Sequence, residues 1–221
     1  IGQQFKSNII LPLASMGWAG GRRWVGELGA GFLGGLLLMG LVALTIQGVG
    51  GFHWNLRPGG SAALGQGAWL FLAVAFREEI LFRGYPFQRL VDALGPWGTL
   101  LLTSLGFAAA HWGNPGMSGD TRVWASVNIA LAGLLLGLCY LKTGRLALPI
   151  GLHLGWNWAQ GSLLGFPVSG HEVGGFLAPV LHDGPLWLTG GRFGLEASLP
   201  CALVAALAAA GLLLWKPREG R

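Results

Sequence analysis

Apolar residues run through this chain in stretches of about twenty, separated by short polar or Pro/Gly segments, rather than alternating with the two-residue period of a half-buried strand. Six stretches stand out, at about 28–50, 64–85, 96–112, 123–141, 146–165 and 195–215. At a rise of about 1.5 Å per residue, each is of the length that crosses the hydrocarbon layer as a helix. The pattern predicts an all-α, polytopic transmembrane helix bundle with about six to seven spans. The seventh is the segment 166–194, long for a structureless connection and apolar in part, but broken by Pro179, Asp183 and Pro185. It reads as re-entrant, interfacial or spanning, and the last choice would move the C-terminus to the other side.

Small residues recur one helical turn apart at Gly31 and Gly35, Gly133 and Gly137, and Gly151 and Gly155, a spacing that lets membrane helices approach closely. No internal repeat or linker interrupts the chain, so residues 1–221 read as one transmembrane domain. Ile1 in place of Met implies a trimmed start.

Composition strengthens this picture. Hydrophobic residues make up 52% of the 221 and charged residues only 10%, against about 25% charged in soluble domains. Forty glycines and eleven tryptophans suit close helix packing and the membrane interface. The net charge of +5 does not imply a nucleic-acid partner, because the basic residues are scattered between apolar runs instead of forming a stripe. Cys139 and Cys201 lie inside apolar runs without metal-ligand spacing and read as small buried hydrophobes.

Lys and Arg accumulate on the cytoplasmic side of membrane proteins. With both termini inside, the cytoplasmic segments hold Lys6, Arg22, Arg23, Arg89, Lys142, Arg145, Lys216, Arg218 and Arg221, and the outer ones Arg57, Arg122 and Arg192. Arg outnumbers Lys 11 to 3, which fits a GC-rich bacterial genome and hence a plasma membrane.

The second stretch contains the unexpected chemistry. Its apolar part is too short to cross, so the helix must continue through Arg77, Glu78, Glu79 and Arg83 before Pro86. Ionisable groups at membrane depth are costly and usually face the bundle interior, where they pair or serve function. Glu79 and Arg83 stand at i and i+4 with the acid first, the favourable order for a helical ion pair. Glu78 points about 100° away and lacks that partner, which tends to raise its pKa and suits a general base. Arg77 is either a second counter-ion or a snorkelling side chain.

His111 ends the third stretch, while His153 and Asn157 share one face of the fifth. By helical rise, Glu78 lies about 16 Å, His111 about 22 Å, His153 about 10 Å and Asn157 about 16 Å from the inner ends of their helices. Four polar groups from three helices therefore fall in one middle layer, where a shared water-filled cavity would satisfy them. Asn128 either bonds a neighbouring helix or reaches that cavity. His53, His171 and His182 fall in predicted loops and read as solvated.

Glu78-Glu79-Ile80-Leu81-Phe82-Arg83, Phe107-Ala108-Ala109-Ala110-His111 and His153-Leu154-Gly155-Trp156-Asn157 occur in this order on successive stretches. The set resembles the EExxxR, FxxxH and HxxxN pattern of the CPBP (Abi) family of intramembrane proteases. That family includes eukaryotic CAAX prenyl endopeptidases and bacterial proteins linked to bacteriocin processing and self-immunity. The likeness has its motif core at about 64–165, and the segments 166–170 and 188–196 are similar to those of bacterial members.

The resemblance implies that Glu78 and His111 activate a water, that His153 and Asn157 stabilise the tetrahedral oxyanion, and that Glu79 and Arg83 position the first carboxylate. It implies a peptide or protein substrate, either membrane-anchored or prenylated, in contact with the lipid bilayer, and an active site opening toward the cytoplasm. A divalent metal is left open: Glu78, His111 and His153 could supply three zinc ligands, but HExxH is absent, since His171-Glu172 has no second histidine at the required place. Water activated by Glu78 and His111 is the preferred reading. Other intramembrane protease classes fit less well, with no aspartate pair in the stretches and no GxSG site, because the segment ending Ser169-Gly170 lacks the first glycine. Two alternatives stand beside the protease: a non-catalytic immunity or scaffold protein, and an ion- or proton-coupled transporter, the latter disfavoured by the lack of repeated halves.

Overall fold

The computed structural model describes residues 17, 18 and 20–215. Lys6, Lys216, Arg218 and Arg221, on which the charge asymmetry partly rests, lie outside the described residues.

Five helices form the body of the protein: α1 (Arg22–Gly48), α2 (Ser61–Arg83), α3 (Tyr85–Ala110), α4 (Gly119–Thr143) and α5 (Ala147–Trp158). A π turn over Ala159–Leu163 extends α5, and after the short α6 (Leu186–Thr189) the helix α7 (Leu199–Leu214) closes the bundle. The local reasons are readable. Gly84 and Pro86 separate α2 from α3, and Gly95, at φ 71°, breaks α3 before Pro96. Gly144, left-handed at φ 65°, stops α4, since glycine meets no steric penalty there.

Among the described residues, three stretches are long and apolar enough to cross a membrane: Arg22–Gly48, the Ser61–Ala110 stretch comprising α2 and α3, and Gly119–Thr143. This is fewer than the six to seven expected. The fifth stretch is only a 12-residue α-helix before the π turn, about 18 Å of rise against a hydrocarbon layer of about 30 Å. The sixth begins with a 3₁₀ turn, Leu195–Ala197, leaving α7 just 16 residues. Large apolar side chains, including Leu37, Trp69, Leu101 and Leu207, face outward from α1, α2, α3 and α7. Such a surface is at home in lipid and too apolar for water. The protein is an integral membrane protein.

The segment 166–194 holds no helix of spanning length. Instead β2 (Leu177–Leu181) pairs antiparallel with β1 (Phe52–Leu56), with Phe52 opposite Leu181 and Leu56 opposite Leu177. His53 and His182, expected in loops, face each other across this ribbon with ring nitrogens 2.8 Å apart.

The small-residue spacings mark the tightest contacts. A Cβ on Gly31 or Gly35 would overlap Leu148 O or Leu152 O, and one on Gly151 or Gly155 would overlap Leu28 O or Phe32 O. Thus α1 and α5 meet backbone to backbone along two reciprocal glycine pairs, the most extensive helix contact in the molecule. Gly133 likewise admits Ser104 of α3 against α4. Cys139 and Cys201 are both buried free thiols.

Candidate active site

A cavity of about 370 Å³ opens between α2, the end of α3, α4, α5 and the loop after the π turn. Glu78, His111, His153 and Asn157 all line it, as their common depth in the sequence predicts. Glu79 and Arg83 stand behind this wall, both fully buried.

Glu79 organises the rear of the site. Its Oε1 accepts from Arg83 Nη1 at 3.1 Å and from His153 Nδ1 at 2.8 Å. Arg83 Nη2 also donates to Gly133 O on α4 at 2.8 Å, an approach favoured by the thin glycine surface. The guanidinium lies 4.8 Å from the Phe107 ring centroid, within cation–π range. One buried group therefore ties α2 to α3, α4 and α5.

Phe107 explains the spacing of the second motif. Its ring packs edge-on against both His111 and His153, and its carbonyl, one turn before His111, accepts from His111 Nδ1 at 2.7 Å. Holding the proton on Nδ1 leaves Nε2 as the lone-pair nitrogen. His111 is half-buried in the turn that ends α3.

Glu78 differs from expectation in one respect. Arg77 Nη2 lies 3.0 Å from its Oε1, so the carboxylate has a cationic neighbour. Arg77 is solvent-exposed, however, and an exposed pair of this kind contributes about 0–1 kcal/mol. The other oxygen of Glu78 sits 3.8 Å from His153 Nε2. Asn128 meets both descriptions offered for it: Nδ2 donates to Trp124 O and to Ser198 O at the start of α7, while the residue lines the cavity with its Oδ1 unpartnered. His171 is exposed and lines the cavity in the loop that follows the π turn.

Glu196 carries no role in the motif reading, yet it lines the same cavity. Its Oε2 accepts from Ser169 N at 2.6 Å and from Ser169 Oγ at 2.9 Å. Burial pushes its carboxyl above the ordinary range, and the two Ser169 hydrogen bonds pull it back. The only sequence signal was its place in the segment 188–196, where a single acid among glycines and hydrophobes has no periodicity to announce it.

Zinc ligation would require Glu78, His111 and His153 to converge as a set, and among the described residues no group of three His, Cys, Asp or Glu side chains is arranged to hold a metal ion. His153 uses Nδ1 on Glu79 and His111 uses Nδ1 on Phe107 O.

Residues 60–159 match the family model of type II CAAX prenyl endopeptidases, described as Rce1-like. The match spans 100 of the 221 residues and is consistent with the CPBP resemblance that the motifs carry. The match begins at the foot of α2 and ends just inside the π turn, so it contains all three motifs and the wall of the cavity that they build. The match supports an intramembrane protease of the CAAX type in general terms, a class that acts on a peptide or protein. Neither curated proteins nor solved structures give a match to the chain.

Proposed function

We propose that this protein hydrolyses a peptide bond by a glutamate-type mechanism in which Glu78 and His111 activate a water. The observation that carries this reading is the convergence of Glu78, His111, His153 and Asn157, from three helices, on one cavity backed by a sealed ion pair. Water between Glu78 and the Nε2 of His111 gives up a proton to this pair, and its oxygen adds to the carbonyl carbon of the substrate. The resulting oxyanion accepts hydrogen bonds from Asn157 Nδ2 and from His153 when its Nε2 is protonated. The carbon–nitrogen bond then breaks, and the proton passes to the leaving amine.

Each element has a known scale. Positioned acid–base catalysis contributes about 10² to 10⁴ in rate, and one oriented oxyanion donor about 10² to 10³. Glu79 fixes the His153 ring through Nδ1, which aims Nε2 at the cavity. The substrate we favour is membrane-anchored or prenylated, because the cavity lining is mostly apolar and the site lies beside lipid-facing helices. The Arg-rich composition and the loop charges support a bacterial plasma membrane with the site opening to the cytoplasm.

The test is cleavage of a quenched fluorescent peptide library by detergent-purified wild type, Glu78→Gln and His111→Ala, with and without a chelator. Activity that falls by at least about 10² in both folded variants, and survives the chelator, supports the mechanism. Loss in the chelator arm would replace it by a zinc-dependent one. Cleavage that persists in both variants would overturn it.

A further inference from the structure

The β1–β2 ribbon places two histidines on one of its faces, outside the cavity that holds Glu78 and His111. Side chains alternate between faces along a strand, and residues directly opposite in an antiparallel pair share a face. Phe52 stands opposite Leu181, and the ladder continues with Gly51 opposite His182, where His182 N donates to Gly51 O at 3.0 Å. His53, two residues on from Gly51, therefore lies diagonally across from His182, a separation of about 7–8 Å that long and aromatic side chains bridge. Gly51 puts no side chain between them. The rings meet with His53 Nδ1 2.8 Å from His182 Nε2, and both residues are exposed.

The other partner of His182 decides what the meeting atoms are. Its Nδ1 lies 2.8 Å from Gly50 O. A carbonyl only accepts, so the proton of the neutral ring sits on Nδ1 and the lone pair on Nε2. Two consecutive carbonyls, Gly50 O on the ring and Gly51 O on the backbone, fix the direction in which that lone pair points. An imidazole that donates one nitrogen to a backbone carbonyl and presents the other unprotonated is the arrangement that metal-ligating histidines adopt. The atom it faces is a second imidazole nitrogen. Two adjacent ligands about 2.0 Å from one square-planar ion stand about 2.8 Å apart, and tetrahedral Zn²⁺ needs about 3.3 Å, an opening that rotation of two exposed rings supplies. As a hydrogen bond alone, the contact between exposed rings exchanges for one with water at small net gain.

We propose that His53 and His182 form a surface site for a divalent transition-metal ion that favours imidazole, such as Cu²⁺ or Zn²⁺, with water in the remaining positions. A site with two protein ligands is compatible with the lack, among the described residues, of any group of three His, Cys, Asp or Glu side chains arranged round an ion. Asp183, exposed and next to His182 in the chain, adds a carboxylate at that end of the ribbon. The ion joins β1, which follows α1, to β2, which follows the loop that lines the cavity with His171 and Val173. It clips the ribbon without touching Glu78 or His111, and the site stands independently of how the peptide bond is cut.

The experiment is calorimetric titration of Zn²⁺ and Cu²⁺ into the detergent-purified full chain, stripped with a chelator and free of any polyhistidine tag, with thermal unfolding followed in parallel. Wild type is expected to bind Cu²⁺ more tightly than Zn²⁺. With free Zn²⁺ at about fivefold its dissociation constant, it should unfold about 2–4 °C higher. His53→Ala and His182→Ala, substitutions at exposed positions, each weaken this binding at least about tenfold, the scale on which even outer-shell partners act, and lose the thermal shift. His111→Ala binds as wild type does, and Mg²⁺, which prefers oxygen ligands, produces no shift. Absence of Zn²⁺ and Cu²⁺ binding to wild type overturns the proposal. So does binding whose stoichiometry and affinity both histidine variants leave intact, and so does binding that His111→Ala abolishes, which assigns the ion to the cavity. None of these readouts needs cleavage, so a failure of the Glu78 and His111 mechanism is seen separately.

Discussion

The polar cluster has a rear half and a front half that share residues of one helix and differ in access to water. At the rear, Glu79 and Arg83 are fully buried and joined to His153 and Gly133 O. At the front, Glu78, His111 and Asn157 face the cavity, and the cation beside Glu78 is exposed. Adjacent glutamates about 100° apart on α2 thus have opposite surroundings. A carboxylate buried with Arg83 and His153 both on one oxygen is fixed as a brace, whereas one that faces a cavity is free to handle a proton.

Substitutions at the two halves should separate activity from stability. The largest effect belongs to the front: Glu78→Gln is expected to lose about 10² to 10⁴ in kcat, with thermal unfolding close to wild type. The converse holds at the rear, where Arg83→Ala leaves Glu79 buried beside a vacated cation and should destabilise the fold by about 3–5 kcal/mol, read as a shift in denaturant midpoint. A result in which Arg83→Ala unfolds no more easily than Glu78→Gln would erase the distinction.

Two smaller effects sharpen the comparison by leaving the cluster untouched. Gly155→Leu pushes a side chain into Phe32 O across the α1–α5 contact, and overpacking of this kind costs about 1–3 kcal/mol. Its activity should fall as well, because α5 carries both His153 and Asn157. Ser198, whose Oγ accepts from Cys201 N at 3.2 Å at the start of α7, is worth about 1 kcal/mol as a helix cap. Ser198→Ala should lower the melting temperature slightly and leave the pH profile of cleavage unchanged.

Much of the site was legible because helical periodicity converts spacing into direction. The i,i+4 pairing of Glu79 with Arg83, the shared face of His153 and Asn157, and the common depth of Glu78 and His111 all follow from 3.6 residues per turn. The glycine pairs were legible for the same reason, although their reciprocal match between α1 and α5 required the structure. What escaped lies where periodicity is lost. β1 and β2 are five residues each, one containing Pro179, too short to display an alternation. The π turn shifts the face of every residue after Trp158. Glu196 reaches the cavity outside any long helix, and no pattern in the chain encodes the left-handed Ser169, at φ 48°, that holds it. The proximity of Arg77 to Glu78 is a rotamer choice between adjacent residues, which helical geometry alone does not dictate.

The reciprocal glycine contact also has a consequence in time. Gly35 and Gly155 are about 120 residues apart in the chain, so at roughly 5–20 residues per second of synthesis the ribosome needs on the order of 6–24 s to supply the partner of α1. Throughout that interval the groove on α1 has only lipid, or another protein, to fill it. A nascent chain of this protein is therefore expected to depend on whatever accompanies membrane helices before their partners emerge.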